Sequence, residues 1–242
     1  MKTLVTILML TAATSSFSQV EENLSLTPFS KVYVHPYFDV VLKEGAEEKV
    51  EILDYRNIDP ELIKVEVKGK RLRMYIEGER ITYSKLKRSG SDWDMYRGAR
   101  VKVEVTYKDL EKLVVYGEDP IKLQSDVKSD RFKLALHGEV DADIQSIKAD
   151  KLKLALYGEN RLEINEGQVK KQIVKSYGEN EVIEKRVNTN SLKYINFGEG
   201  ELYTGDIESM RVTAFGSAFI SYNGNPVLSN KIAIGEMTFV SR

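Results

Sequence analysis

The sequence predicts an all-β chain wound as a parallel β-helix, a solenoid with coils of about 20 residues. Three observations carry that expectation. The first is an aromatic-Gly-Glu mark at Tyr116-Gly117-Glu118, His137-Gly138-Glu139 (His in the aromatic place), Tyr157-Gly158-Glu159, Tyr177-Gly178-Glu179 and Phe197-Gly198-Glu199. It decays to Phe215-Gly216-Ser217 and Ile234-Gly235-Glu236, with glycine intervals of 21, 20, 20, 20, 18 and 19 residues. A fixed period in this range marks coils that stack and bury one continuous core. The second is the pair of apolar columns around that mark. Two and four residues before the glycine stand Val115 and Leu113, Leu136 and Leu134, Leu156 and Leu154, Ala214 and Val212. Four residues after it stand Ile121, Ala142, Leu162, Val182, Leu202, Ile220 and Phe239, which is the parity of a buried face. The third is a second set of turn residues half a period later, such as Glu166-Gly167, Gly205-Asp206 and Asn223-Gly224-Asn225-Pro226. Each coil is then two or three short strands separated by corners, the glycine sitting where a Cβ would obstruct the turn. An antiparallel sandwich, with turn signals every ~8 to 12 residues, is the competing architecture. Like chemistry repeated in equivalent columns favours the solenoid. A leucine-rich repeat has a similar period, but only Asn160 and Asn180 fall near its asparagine column.

Taken in order, the chain opens with Met1-Lys2-Thr3, an apolar run from Leu4 to Ala13, and small residues up to Ser18. This is the pattern of a secretory signal peptide over residues 1–18, too short in its apolar part to span a bilayer. No later stretch is apolar enough to span. Residues 19–28 read as a flexible lead-in, and residues 29–242 as a single β-solenoid domain. Its N-terminal part, 29–109, carries alternating runs at Val32/Val34, Phe38/Val40/Leu42, Val50/Ile52, Ile63/Val65/Val67, Leu72/Met74/Ile76 and Val101/Val103/Val105. Lys68-Gly69-Lys70 predicts a hairpin, and Asp59-Pro60-Glu61-Leu62 one helical turn with Asp59 as N-cap. Between Gly78 and Arg100 the alternation stops. Residues 110–242 are the Gly-Glu repeat coils.

Composition narrows the function. The chain holds no cysteine, so disulfides, thiol nucleophiles, thiolate metal sites and a lipidated N-terminal cysteine are excluded. Its 36 basic and 37 acidic residues are interspersed, with a formal net charge of −1, which argues against a nucleic-acid partner. Neither His35 nor His137 sits in a catalytic motif, and no zincin, nucleophile-elbow, P-loop or dinucleotide signature occurs. Nothing calls for a cofactor or a metal.

Four features remain as candidates. The column Glu118, Glu139, Glu159, Glu179, Glu199, Ser217, Glu236 is either a calcium-binding edge or a solvated corner. The column Tyr116, His137, Tyr157, Tyr177, Phe197, Phe215, Ile234 is either a platform for sugar rings or packing along the solenoid. A basic column, Lys112, Lys133, Lys153, Lys193 and Arg211 broken by Ile173, points outward and serves solubility or an anionic polymer. The irregular segment with Trp93, Tyr96 and Arg97 combines rigid aromatics with Arg, a common make-up of a binding anchor, and is either the preferred ligand-binding candidate or a loop that Trp93 pins to the solenoid wall.

Several of these residues also carry a family resemblance. Phe29-Ser30-Lys31-Val32-Tyr33-Val34, Phe38-Asp39-Val40-Val41-Leu42-Lys43-Glu44-Gly45, Leu72-Arg73-Met74-Tyr75-Ile76, Val101-Lys102-Val103-Glu104-Val105 and the Gly-marked repeats resemble the exported bacterial proteins described as "putative auto-transporter adhesin, head GIN domain". The resemblance covers roughly Phe29 to Arg242. It implies a right-handed β-helix of the bacterial cell envelope, in Bacteroidetes-like organisms, with no established enzymatic role and no site residues to carry over. The regular Glu after the glycine departs from the family's usual small or polar residue. The reading is therefore an exported, non-enzymatic protein, periplasmic, cell-surface or secreted, that binds a polysaccharide or another envelope protein. An enzyme acting on extracellular polysaccharide is the second reading, and a purely structural envelope component the third.

Overall fold

Apolar side chains on alternate residues, repeated every coil, let each turn of chain lay its inner face on the turn below. The computed structural model describes residues 22–79 and 98–242 and shows this winding as a β-solenoid of about six turns with about 20-residue spacing. Its strands are β1 (Glu22–Ser25), β2 (Lys31–Val34), β3 (Phe38–Glu44), β4 (Lys49–Arg56), β5 (Ile63–Lys68), β6 (Arg71–Ile76), β7 (Arg100–Tyr107), β8 (Lys112–Gly117), β9 (Ile121–Gly138), β10 (Asp141–Glu184), β11 (Val187–Asn223) and β12 (Val227–Ser241). From β8 onward all pairing between elements is parallel, with Leu154 over Leu134, Tyr177 beside Phe197 and Ile220 beside Phe239. The corners are paired as well: Gly178 lies on Gly198 and Glu179 on Glu199, which is why β10 runs unbroken for 44 residues.

In the N-terminal part the stacking order departs from chain order. The β2–β3 coil lies between the β6–β7 coil and the β8–β9 coil, since β2 pairs in parallel with both β6 and β8, and β3 with both β7 and β9. The chain thus enters the stack one coil in, leaves it, builds the terminal coil and returns. On that terminal coil the pairing turns antiparallel: β5 covers β6 through the predicted hairpin, with Gly69 at φ 62°, and β4 covers β7. The helical turn at Pro60–Leu62 forms as a 3-10 turn, Asp59 accepting from the Glu61 N–H at 2.9 Å. Residues 22–25, expected within a flexible lead-in, instead form β1 and pair antiparallel with β4. An edge strand such as β4 offers a row of unpaired backbone groups, and a preceding segment of chain can satisfy them. At the opposite end, among the described residues, β12 pairs with β11 alone, and Ile234 is exposed.

The column before the glycine is buried from Leu113 and Val115 through Leu134, Leu136, Leu154 and Leu156 to Val212 and Ala214, and the column after it from Ile121 to Ile220, with Phe239 half-buried on the last coil. One core runs from Phe29 to Ile220. In the middle coils it is not wholly apolar. Gln172, Ser176, Asn180, Glu184, Thr189, Asn196 and Thr204 point inward. Asn160 and Asn180 stack as a short internal ladder: Asn160 Oδ1 accepts from the Val140 N–H at 3.1 Å, and Asn180 Oδ1 accepts from the Asn160 N–H at 3.2 Å and from Asn160 Nδ2 at 2.8 Å. These amides satisfy backbone donors just past the corner. Asn180→Ala would orphan both Asn160 donors, so a loss of about 2 kcal/mol is expected. Urea denaturation should show it as a lower midpoint with an unchanged slope.

Candidate functional site

The outward residues of β2, β6 and β8, and of the equivalent stretches of β9, β10 and β11, make one wall of the solenoid. Alternation puts every second residue outside, and parallel register stacks equivalents in columns about 4.8 Å apart. Arg71 lies beside Lys31, Lys31 beside Lys112, Lys112 beside Lys133 and Lys133 beside Lys153. Further along, Ile173 lies beside Lys193, and Arg211 stands four residues before Phe215 of the ring stack. Where Ile173 interrupts the column, Lys171 and Lys175 flank it on the same outer face. Arg131 and Lys151 extend the charge on one side.

Among the described residues, no carboxylate forms an ion pair with Lys31, Arg71, Lys133, Lys151, Lys153, Lys175, Lys193 or Arg211. The cations therefore face one another without a carboxylate in direct contact among the described residues. The charge of Lys151 in the first place, then partial burial and the charges of Lys133, Lys175 and Arg131, hold the Lys153 amine below the usual lysine range. At Tyr33, Lys112 Nζ donates to the phenol oxygen at 2.8 Å and Arg71 lies over the ring. Burial would raise this phenol's pKa, but the Lys112 hydrogen bond and the charges of Lys112, Arg71 and Lys31 outweigh it and pull it down. A groove of about 1110 Å³ borders the wall, with Lys31, Lys112, Arg131 and Lys133 on its lining beside Asp109, Glu111, Asp130 and Asp150.

Next to the basic columns stands the ring ladder, longer than the sequence suggested. Tyr116, His137, Tyr157, Tyr177, Phe197 and Phe215 stack at 4.7, 4.7, 5.0, 5.2 and 4.8 Å between centroids, none more than 19° from parallel. Because the β2–β3 coil is inserted out of chain order, His35 packs 5.7 Å from both Tyr116 and Tyr75 and adds two rungs. From Tyr116 to Phe215 each ring covers its neighbour's face, and what Tyr157, 39% exposed, and Phe197, 40%, show to solvent is chiefly edge. A sugar stacks on a free face, so the packing role is the one the geometry supports. Burial first, then Arg73, pushes the His35 imidazole down to about 4; burial and then Lys112 also lower His137. Both rungs are neutral at ordinary pH.

The corner glutamates Glu139, Glu159, Glu179 and Glu199 are exposed, and among the described residues no three His, Asp or Glu side chains converge as a metal cage. Glu184 is raised to about 7, by burial before anything else, yet it sits wholly inside the core. Asp119 is likewise raised by burial, and its Oδ2 is engaged at 2.7 Å by the Tyr37 N–H. Both carboxyls are engaged within the fold. Trp93, Tyr96 and Arg97 lie outside the described residues.

A family model described as "Putative auto-transporter adhesin, head GIN domain" matches residues 28–226. The chain belongs to this family. The chain also resembles solved structures of low sequence identity. A "putative adhesin" from Bacteroides fragilis is 18% identical with a TM-score of 0.72, over 93% of this chain and 98% of that one. A "putative adhesin" from Parabacteroides merdae is 15% identical with a TM-score of 0.64, over 92% and 95%. A "putative lipid binding protein" from Parabacteroides distasonis is 14% identical with a TM-score of 0.61, over 92% and 96%. At these identities the likeness shows the fold alone. No curated protein matches the sequence. The family's adhesin description is in keeping with an adhesion-like role, and no helix among the described residues is long and apolar enough to cross a membrane.

Proposed function

We propose that this head GIN domain protein is an exported, non-enzymatic solenoid of the bacterial envelope that adheres to a surface polymer or another envelope protein through its basic wall. The observation that carries the reading is the stack of outward cations from Arg71 to Arg211, held in rigid register and lacking ion-pair partners among the described residues. Like charges at strand spacing cost stability, and a fold retains such a cost where it serves function. The family description and the leader-like pattern of residues 1–18 support the adhesive and exported parts. The perturbed carboxyls, Glu184 and Asp119, are engaged in packing instead of facing a cleft, which favours binding over turnover.

The test is cosedimentation of the purified mature chain with intact Bacteroides envelopes across a salt series, with reducing ends measured in parallel. Retention that falls steeply with salt, without new reducing ends, is expected. Absence of retention at low salt overturns the adhesive reading, and release of reducing ends would replace it with the enzymatic one.

A further inference from the structure

Building on the adhesive reading, we propose that the wall takes a linear acidic polysaccharide, a polymer bearing carboxylates on its sugars, laid along the solenoid axis over the column Arg71, Lys31, Lys112, Lys133, Lys153 and Lys193. Four observations lead there. The cations are stacked, not scattered: the column repeats once per coil, about 4.8 Å, and from Arg71 to Arg211 its eight rungs span about 34 Å. A glycan with an acid on each sugar or on alternate sugars presents charge with a repeat of the same order, one or two ring lengths. The members are chiefly lysines, point charges without the fixed fork of arginine, so the match is one of charge spacing and not of bidentate geometry. Where the column is interrupted at Ile173, Lys171 and Lys175 stand on either side on the same face, and the charge is displaced by one column without being lost. Finally, the corner glutamates run parallel to the cations on the far side of the ring ladder and confine an anionic chain to the basic strip.

The same geometry argues against the other polymers. A neutral glycan would need free ring faces, and each ring in the ladder is covered by the next. Single-stranded nucleic acid is held by bases stacking on such faces, which are equally closed to it. Duplex DNA carries a charge every ~1.7 Å of axis, far denser than the column can match.

The experiment measures binding of the mature chain to polygalacturonate by calorimetry, with dextran, single-stranded DNA and inorganic polyphosphate as comparison polymers. The variant Lys133→Gln/Lys153→Gln/Lys193→Gln is set against Lys102→Gln/Lys122→Gln/Lys185→Gln, which removes the same charge elsewhere. We expect polygalacturonate to bind in a salt-dependent way, the wall variant to weaken it about tenfold, and the comparison variant to leave it within about twofold. Oligogalacturonates should gain affinity with length until they span the column. The wall variant should melt no lower than the parent, because removing stacked like charges relieves repulsion; this separates a lost ligand contact from a damaged fold. Unchanged affinity in the wall variant, equal binding of dextran, or tighter binding of DNA or polyphosphate overturns the assignment. Envelope retention that survives in a chain unable to bind polygalacturonate sinks the glycan assignment alone, whereas loss of envelope retention by the parent chain sinks the adhesive reading itself.

Discussion

Gly158→Ala is expected to destabilise the protein by roughly 3 to 5 kcal/mol, a large part of the ~5 to 15 kcal/mol that holds a typical domain together. Gly158 sits at φ 109°, a conformation that side chains rarely adopt, and an added Cβ would press on the carbonyl oxygen of Gly138 in the coil beside it. Gly178 is placed against Gly158 in the same way, so the corner cannot shift aside without opening the pairing on both sides. Strain and backbone collision therefore add. Gly224→Ala is the matched comparison: φ is 80°, but nothing lies within 4 Å of its added Cβ, and only the strain, about 1 kcal/mol, should appear. Urea denaturation followed by circular dichroism measures both. Equal midpoints for the two variants would mean that the corner glycines are not packed backbone to backbone.

The second large effect concerns Glu184, buried among Gln172, Thr189 and Thr204. Burial raises its carboxyl from about 4.5 to about 7, and the hydrogen bond from Gln172, 2.7 Å away, with the Thr204 hydroxyl nearby, offsets only part of that. Below about pH 4.5 the group is protonated in both the folded and unfolded chain and costs nothing. Between 4.5 and 7 the unfolded chain releases its proton while the folded chain keeps it, so stability falls by about 1.4 kcal/mol per pH unit. Above 7 the loss levels off near 3 kcal/mol in all. His35, lowered to about 4, acts with the opposite sign: unfolding lets it take up a proton below about 6.5, so its contribution is lost as pH falls through that window. His137 adds to it in the same direction. The wild-type slope is a sum, and the difference between wild type and Glu184→Gln isolates the carboxyl. That difference should be near zero at pH 4.5 and favour the glutamine by up to ~3 kcal/mol at pH 8. A pH-independent difference between the two proteins would show that Glu184 does not enter the fold as the neutral acid.

The repeat coils could be read from the chain because their signals are local. A residue's side in a strand follows from parity alone, and the corner from the glycine; Leu134, Leu136, Leu154 and Leu156 are buried and Lys133 and Lys153 face out accordingly. Position within the stack is different in kind. Nothing local at Lys31 or Arg71 announces that they continue the column of Lys112, or that His35 and Tyr75 continue the ladder of Tyr116, because those neighbours are created by the chain leaving the stack and returning to its end. The polar interior around Glu184 and Asn180 was missed for a related reason: parity says which side chains point in, not what they meet there.

Period, parity and the absence of cysteine came from the residues alone, since each depends on a residue and its near neighbours. The length of the basic column, the closing of the ring faces and the covering of one end by antiparallel strands arose from pairings between segments that lie up to about eighty residues apart. Backbone hydrogen bonding is indifferent to such separations, so a strand of alternating residues accepts any partner of matching register, and the path of the chain determines which one arrives.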